Sequence, residues 1–307
     1  MTLKLGISPL SWTNEAILDL GDHIPLAQCL SEAAMAGFTG VELGRKFPAL
    51  PEAILRVLTE YDLNPVSAWY SGFLTERDVV AEWPTARAHA EKLIALGCKV
   101  VVYGECGCGP LSGVSARLAE RPQTNRYDHE AYAKRLDELA HRWADMGIAL
   151  AYHHHMMQPV ETAAQIEAVM RATSPLVGLL LDTGHLALAG DDYGLLMQRW
   201  WDRIVHIHLK DIRQNVLDRI DRSQITFNDG VRRGMFTVPG DGDLDFGPLA
   251  QQIKTQGYDG WLLVEAEQDP VKAPPAAMAQ TAYATLTQIF SAQGLTFDRN
   301  PRYDATS

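Results

Sequence analysis

The chain has 307 residues, a net charge of −11 and a sequence pI of about 5.3. This acidic balance argues against nucleic acid or an anionic membrane surface as a partner, because both carry negative charge themselves. No stretch approaches the roughly 20 consecutive apolar residues of a membrane span. The opening MTLKLGISPLSW also lacks the extended apolar segment of a signal peptide. We therefore expect a globular cytoplasmic protein with no membrane or nucleic-acid partner.

Cysteine is sparse in this chain and does not indicate a disulfide framework. The four cysteines are Cys29, Cys98, Cys106 and Cys108. The pair Cys106 and Cys108 lacks the second cysteine pair that a tetrahedral thiolate site requires. We interpret them as small residues in a tight loop.

Eight short apolar runs alternate with helical patterns along the chain, and each run is typical of a strand buried in a parallel sheet. The runs cover residues 3–8, 39–44, 64–70, 99–104, 148–154, 177–182, 204–210 and 260–265. Steps such as Leu-Gly-Cys and Met-Gly-Ile fit glycine helix ends that lead directly into the next strand. Regular alternation without a linker predicts an α/β fold, a single (β/α)₈ TIM barrel forming one domain over residues 1–307.

Residues 211–245 interrupt this rhythm after the seventh run. Loops of such length inside a compact domain are mostly lids or binding loops, so we expect an active-site loop here. Within it, residues 238–243 (VPGDGD) are turn formers and a candidate anion cradle, but no Lys-Ser/Thr helix start follows as in a P-loop. Beyond Gly294 the chain is polar, and we expect a frayed end or a subunit contact.

Three of the apolar runs end on residues that ligate metals. They end at Asp182, His208 and Glu265. A buried unpaired charge is costly, so three consecutive strands that end in this way indicate a shared ion. For any single residue, a helix cap or a core histidine explains the position equally well. The coincidence of all three favours a metal site.

A fourth ligand is expected from the segment that follows the fifth run. His153 and His155 lie on the same face of that strand, and Glu161 follows six residues later. We favour His155 over Glu161, because Glu161 also suits the first turn of the next helix. A mixed oxygen and nitrogen ligand set suits Mn²⁺ or Co²⁺ better than zinc in a thiolate cage.

Other residues near the predicted strand ends are candidates for catalysis and substrate binding. His185, Lys210 and Glu42 are the candidate catalytic groups. The candidate substrate-binding residues are Trp12, Arg45, Trp69, His153 and Glu267. Aromatic walls with a few charged groups suit a polyhydroxylated ring, whose C–H faces are apolar and whose hydroxyls need directional partners. For both tryptophans, packing in the core is an equally good explanation.

Several segments together resemble the xylose isomerase-like TIM barrel superfamily, and within it the inosose dehydratase family. They are GISPLSWTNE, AGFTGVELGRKFP, AYHHHM, LLLDTGHLAL, IVHIHLKDIR, GMFTVPGDGDLDF and GYDGWLLVEAEQDP. One departure is Arg233, where the family pattern has lysine. The VEAEQDP pattern leaves Glu265 and Glu267 both open as the ligand, and the distance from the strand start favours Glu265.

The resemblance implies a metal-dependent lyase that converts 2-keto-myo-inositol (scyllo-inosose) to 3D-trihydroxycyclohexane-1,2-dione and water in myo-inositol catabolism. It implies Mn²⁺ or Co²⁺ as the ion, associates glutathione with the family, and implies subunits that pair as homo-oligomers. The residues agree with such chemistry. A Lewis-acid ion at the ketone acidifies the neighbouring C–H, a base removes that proton, and an acid helps the β-hydroxyl to leave.

Three alternatives remain at this point. An epimerase or isomerase of a keto-sugar or inosose would use the same enolisation and then return the proton. A phosphodiesterase resembling endonuclease IV needs further ligands and a basic surface, and the net charge of −11 argues against it. A barrel that binds inositols without catalysis would hold no metal.

Overall fold

The computed structural model describes residues 1–108, 115–120 and 126–303. The chain forms two compact units. The first unit comprises Met1–Val66, Ile207–Ile220 and Asp229–Ser307, and the second comprises Ser67–His206 and Asp221–Asn228. The prediction of one domain over residues 1–307 stays a prediction.

Strands and helices alternate along the described residues, and all eight predicted strands are present. The strands are β1 (Thr2–Ile7), β2 (Gly40–Leu43), β3 (Asn64–Gly72), β4 (Val100–Glu105), β5 (Ala149–His153), β6 (Val177–Asp182), β7 (Ile204–Leu209), β8 (Asp211–Ile212), β9 (Phe236–Thr237), β10 (Trp261–Val264) and β11 (Thr296–Phe297). The helices are α1 (Leu26–Met35), α2 (Pro51–Thr59), α3 (Val79–Ala95), α4 (His129–Asp145), α5 (Ala163–Ala172), α6 (Thr183–Ala189), α7 (Tyr193–Trp200), α8 (Gln214–Leu217), α9 (Phe227–Arg233), α10 (Gly247–Gln256) and α11 (Pro275–Ser291). Short 3₁₀ helices lie at Pro9–Ser11 and Trp201–Arg203. Within the described part of the chain, no helix is long and apolar enough to cross a membrane.

Side-chain caps and glycines set the helix boundaries. Asp78 and Asp128 accept hydrogen bonds from the first turns of α3 and α4, and Thr162 forms a capping box with Gln165 at α5. Gly97 and Gly147 follow α3 and α4 with φ of +80° and +84°, a left-handed conformation that glycine adopts without strain. The predicted glycine helix ends are confirmed at these two positions.

In the first unit, parallel pairing brings four strand ends to one level. β10 pairs with β7 and with β1, and β1 pairs with β2. The register aligns His208 with Leu263, and Leu263 with Gly6. Because side chains alternate along a strand, Glu265 lies on the same face as His208 and just beyond it.

In the second unit, β3, β4, β5 and β6 pair in sequence as parallel neighbours. One face of this sheet buries an apolar cluster of Val100, Val102, Ala151 and Leu180, against which Trp69 packs. His153 is level with Leu180, so Asp182 lies on the same face two residues further along β6. The strand-end positions predicted from the sequence therefore share a face within each unit.

Two predictions about irregular segments need correction. The insertion at residues 211–245 is a small structured subdomain, in which β8 and β9 pair as antiparallel strands and α8 and α9 lie between them. The chain end is packed rather than frayed as far as residue 303. β11 extends the sheet beside β1, and the buried Asn300 amide donates to the carbonyls of Tyr61 and Asp62 at 3.1 Å each.

Candidate active site

His153 and Asp182 form a buried pair at the ends of β5 and β6 in the second unit. His153 Nε2 lies 3.5 Å from Asp182 Oδ2, and neither residue is more than 1% exposed. The other oxygen, Oδ1, accepts a hydrogen bond from the backbone N–H of His185 at 2.8 Å and caps α6. The capping explanation for Asp182 is therefore correct for one oxygen, and the second oxygen faces an imidazole.

His154 points to the other side of β5 and supports the neighbouring strand. Its Nε2 accepts the backbone N–H of Asp182 at 3.2 Å, and the residue is fully buried. An imidazole nitrogen that accepts from N–H carries a lone pair, which defines the tautomer at this position. Sequence analysis did not select His154, although strand alternation separates it from His153 and His155.

A second pair of imidazoles, His155 and His185, lies beside the first. Their ring centroids are 3.7 Å apart, and the Phe227 ring stacks on His185 at 6.4 Å. His155 Nδ1 lies 2.6 Å from the carbonyl oxygen of Met156, so this nitrogen carries a hydrogen. His185 Nδ1 accepts from the backbone N–H of Met156 at 3.4 Å, which leaves Nε2 as the protonated nitrogen of the neutral ring.

The structure separates the two histidines between which the sequence had to choose. His153 lies beside Asp182, whereas His155 stacks on His185. These contacts favour an exchange of the predicted roles, with His153 as the ligand and His155 beside the catalytic candidate. The third candidate, Glu161, is buried and accepts from the backbone N–H of Met157 at 3.1 Å, which fixes the loop after β5.

Trp69 forms an aromatic wall against these imidazoles, within the second unit. Its ring lies edge-on to His153 and His155, with centroids 5.4 and 5.9 Å apart. The indole N–H donates to Ser71 Oγ at 2.8 Å. The side chain is only partly buried, as expected for a surface that a ligand contacts.

His208 is the centre of a buried group at the strand ends of the first unit. Its Nδ1 lies 2.8 Å from Glu265 Oε2, and its Nε2 lies 3.7 Å from Glu42 Oε1. All three residues are at most 6% exposed. The imidazole therefore lies between two carboxylates, one from β10 and one from β2.

Lys210 lies beside the same carboxylates and is fully buried. Its Nζ is 2.7 Å from Glu265 Oε1 and 3.1 Å from Glu267 Oε2, and it lies 4.9 Å from the centroid of the Phe236 ring. A buried ammonium is stable only with such compensation. Glu265 contacts both His208 and Lys210, whereas Glu267 pairs with Lys210, which favours Glu265 as the ligand.

Trp12 and Arg45 have packing roles in place of the predicted substrate contacts. Trp12 is fully buried and donates its indole N–H to Glu32 of α1 at 2.6 Å. The Arg45 guanidinium donates to the carbonyls of Asn14 and Leu18 and pairs with Asp22 at 3.0 Å. Both side chains therefore use their polar atoms to hold the segment between β1 and α1.

The predicted anion cradle at residues 238–243 holds a carboxylate of this chain. Asp211 Oδ1 accepts the backbone N–H of Ile212 at 2.8 Å and of Leu244 at 2.9 Å. Burial raises the pKa of Asp211 to about 6, and backbone N–H groups around it oppose that rise. Gly242 approaches so closely that a Cβ there would lie 2.3 Å from Asp211 Oδ1. Glycine is required at this position because any side chain would displace the carboxylate.

A separate buried carboxylate, Glu105, lies at the end of β4. It accepts hydrogen bonds from Tyr103 Oη at 2.6 Å, Thr75 Oγ1 at 2.9 Å, and the backbone N–H groups of Leu74 and Gly107 at 3.0 Å each. Burial raises its pKa to about 7, although these four donors lower it. Sequence analysis missed Glu105 because it follows a buried strand without any metal-ligand neighbour in the sequence.

The cysteines support the interpretation drawn from the sequence. All four are free, and Cys29 and Cys98 are buried. Burial raises the pKa of the Cys106 thiol to about 11, so this thiol stays protonated near neutral pH. Cys106 and Cys108 are half-buried loop residues, and Cys106 Sγ lies 3.7 Å from Gln158 Nε2.

Comparison with solved structures identifies the fold. A structure of L-ribulose 3-epimerase matches with a TM-score of 0.67 and 17% identity, covering 95% of this chain and 96% of that one. A crystal structure of the IOLI protein, described as binding a zinc atom, matches with a TM-score of 0.67 and 20% identity, covering 95% and 99% of the two chains. The predicted (β/α)₈ TIM barrel is confirmed as the fold.

Sequence comparison identifies the family. Residues 30–289 match the family model described as a xylose isomerase-like TIM barrel. The rhizopine catabolism protein MocC of Rhizobium meliloti is 41% identical over 304 residues, 99% of this chain and 94% of that protein. The inosose dehydratase of Lacticaseibacillus casei is 40% identical over 285 residues, 92% of this chain and 95% of that enzyme. The chain therefore belongs to the xylose isomerase-like TIM barrel family, and to the branch of it that includes the inosose dehydratases.

Proposed function

We propose that this protein is an inosose dehydratase, a hydro-lyase that converts 2-keto-myo-inositol (scyllo-inosose) to 3D-trihydroxycyclohexane-1,2-dione and water in myo-inositol catabolism. The observation that carries the proposal is the 40% identity with an inosose dehydratase over 92% of this chain. Identity at this level along nearly the whole length makes a shared reaction far more plausible than a shared fold alone does.

The proposed cofactor is one divalent ion, held by His153, Asp182, His208 and Glu265. Each pair supports this assignment within its own unit, because its ligand atoms are buried and lie 3.5 or 2.8 Å apart. Two imidazole nitrogens and two carboxylate oxygens form a donor set that suits Mn²⁺ or Co²⁺. His153 takes the place that sequence analysis assigned to His155.

Side chains of this protein then supply the proton transfers. The ion, when bound, polarises the substrate ketone and so acidifies the neighbouring C–H. Glu42 is the proposed base that takes this proton, and the His185 Nε2–H is the proposed acid that protonates the leaving hydroxyl. The Lys210 ammonium adds a fixed positive charge that stabilises the negative charge on the substrate oxygen during proton removal.

The decisive experiment distinguishes water loss from epimerisation. We expect the Mn²⁺-loaded protein to turn scyllo-inosose into a product with dione absorbance and a mass lower by one water. An epimerase or isomerase would instead exchange the substrate proton with deuterated solvent and return a ketone of unchanged formula. Deuterium uptake into recovered ketone without dione formation would refute the dehydratase proposal.

Rhizopine catabolism is a second candidate function. The MocC protein aligns with 99% of this chain, compared with 92% for the L. casei inosose dehydratase. We would assay rhizopine and scyllo-inosose side by side at equal enzyme concentration. A kcat/KM for rhizopine that exceeds the value for scyllo-inosose would favour this second function.

Three further properties follow as proposals from the family and the composition. Glutathione is tested by adding it to the dehydratase assay, where a rise in kcat would support a role. Homo-oligomer formation is tested by sedimentation of the purified protein. We propose a cytoplasmic location because all four cysteines are free, as expected in a reducing compartment.

A further inference from the structure

The insertion after β7 returns to the end of that strand through a two-stranded hairpin. β8 begins at Asp211, directly after Lys210, and pairs antiparallel with β9. The register places Ile212 opposite Phe236, and Asp211 opposite Thr237. A residue 26 positions later in the chain is thereby brought back to Lys210.

The buried Asp211 carboxylate holds the far end of the insertion against this hairpin. Its Oδ1 accepts N–H groups from both Ile212 and Leu244, which are separated by more than 30 residues in the sequence. The backbone N–H of Asp243 also donates to the carbonyl of Ile212 at 3.0 Å. These contacts close the insertion into a loop with a fixed base.

Arg213 secures β9 from the other side. Its guanidinium pairs with Asp241 at 2.5 Å and donates to the carbonyls of Gly234 at 2.8 Å and Phe236 at 3.2 Å. Thr237 Oγ1 donates to the same Asp241 carboxylate at 2.6 Å. The backbone of Phe236 is therefore held by side-chain hydrogen bonds as well as by strand pairing.

The result is an aromatic ring placed against a buried cation. Phe236 and Lys210 are both 0% exposed, and Lys210 Nζ lies 4.9 Å from the ring centroid. A cation over an aromatic face is attracted by the ring quadrupole, more strongly when water is excluded. Glu265 and Glu267 contact the same ammonium, so three side chains surround it.

We propose that Phe236 is a positioning residue that fixes the Lys210 ammonium against Glu265 and Glu267, and that the insertion exists in part to deliver this ring. The inference rests on the proposed dehydratase function, in which Lys210 stabilises charge on the substrate. A lysine side chain has four rotatable bonds, so without the ring the ammonium samples other positions. Misplacement of a charge by about 1 Å is enough to slow a reaction that depends on it.

The test compares Phe236→Leu, which removes the ring, with Phe236→Tyr, which retains it. We expect F236L to lower kcat for scyllo-inosose about tenfold and to leave KM and bound Mn²⁺ near the wild-type values. F236Y should recover most of the lost kcat. Phe290→Leu is the matched control, because Phe290 is equally buried but lies on α11, and it should retain wild-type kcat.

A chemical readout follows the position of Lys210 without any turnover. Apo and Mn²⁺-loaded proteins are treated with an amine-reactive reagent, and labelling of Lys210 is measured by peptide mass spectrometry relative to the exposed Lys4. We expect F236L to label at Lys210 several times faster than the wild type, F236Y and F290L.

The possible results separate this inference from the function on which it rests. If wild-type protein forms no dione, the dehydratase proposal fails, while the labelling still reports whether Phe236 fixes Lys210. Wild-type kcat and wild-type labelling in F236L would overturn the inference. A slow F236Y variant that behaves as F236L does would also overturn it, because the ring would then not be the cause.

Discussion

Replacement of Glu105 by glutamine tests whether this buried carboxylate makes the stability of the protein depend on pH. Glu105 is fully buried, and burial raises its pKa to about 7 from the ordinary value of 4.5. Between these two pH values the folded protein holds a proton that the unfolded chain has released. The free energy of unfolding due to Glu105 therefore falls as the pH rises through this window.

The size of the effect follows from the two pKa values. One pKa unit corresponds to about 1.4 kcal/mol, so the full difference is about 3 kcal/mol. Most of it, about 2–3 kcal/mol, falls between pH 5 and pH 8. Glu105→Gln retains the shape of the side chain but cannot titrate. We expect the wild type to lose its advantage over E105Q by this amount between pH 5 and pH 8.

Urea unfolding followed by far-UV circular dichroism measures the difference at each pH. Groups common to both proteins cancel in the comparison, which isolates Glu105. The control is Glu60→Gln, because Glu60 is exposed and its replacement removes the same charge. A difference between wild type and E105Q that stays constant within about 1 kcal/mol from pH 5 to pH 8 would refute the reasoning.

Further predictions concern the proposed metal ligands and the insertion. His153→Gln should lose Mn²⁺ in equilibrium dialysis, whereas His155→Gln should retain the ion and lower kcat; the opposite result would restore the original assignment. Glu265→Gln should weaken Mn²⁺ affinity at least 100-fold, about the upper range for loss of a supporting residue. Glu267→Gln should weaken it less and act mainly on kcat, and equal affinities in the two variants would contradict the assignment. Gly242→Ala should cost about 1–3 kcal/mol in urea unfolding, because the added methyl overlaps a buried carboxylate.

The eight strands could be predicted because each is a continuous apolar run, and that signal depends on local sequence alone. The site was less predictable. Alternation places His153 and His155 on the same face, so periodicity cannot distinguish them. The distinction comes from where β5 ends, at His153, which leaves His155 in the turn beyond the strand. Strand ends are set by pairing with neighbours, and a single sequence does not contain that information.

The insertion was predictable in extent but not in structure. Its fold depends on Asp211 and Leu244, which meet across a separation of more than 30 residues. Propensity and periodicity act over much shorter distances and cannot report such a contact. The same reason explains why Phe236 carried no signal: only the hairpin brings it to Lys210. Turn chemistry at residues 238–243 did predict an anion cradle, and its occupant is the chain itself.

The first strand has consequences for how the chain folds during synthesis. β1 pairs with β2 nearby, but its other partners are β10 and β11, which lie more than 250 residues later. A growing chain can complete the second unit while one edge of β1 still has no partner. Exposed strand edges of this kind recruit other chains, and their late closure slows folding. We therefore expect chains stalled before residue 261 to be held by chaperones, and the completed chain to fold by capturing its own first residues.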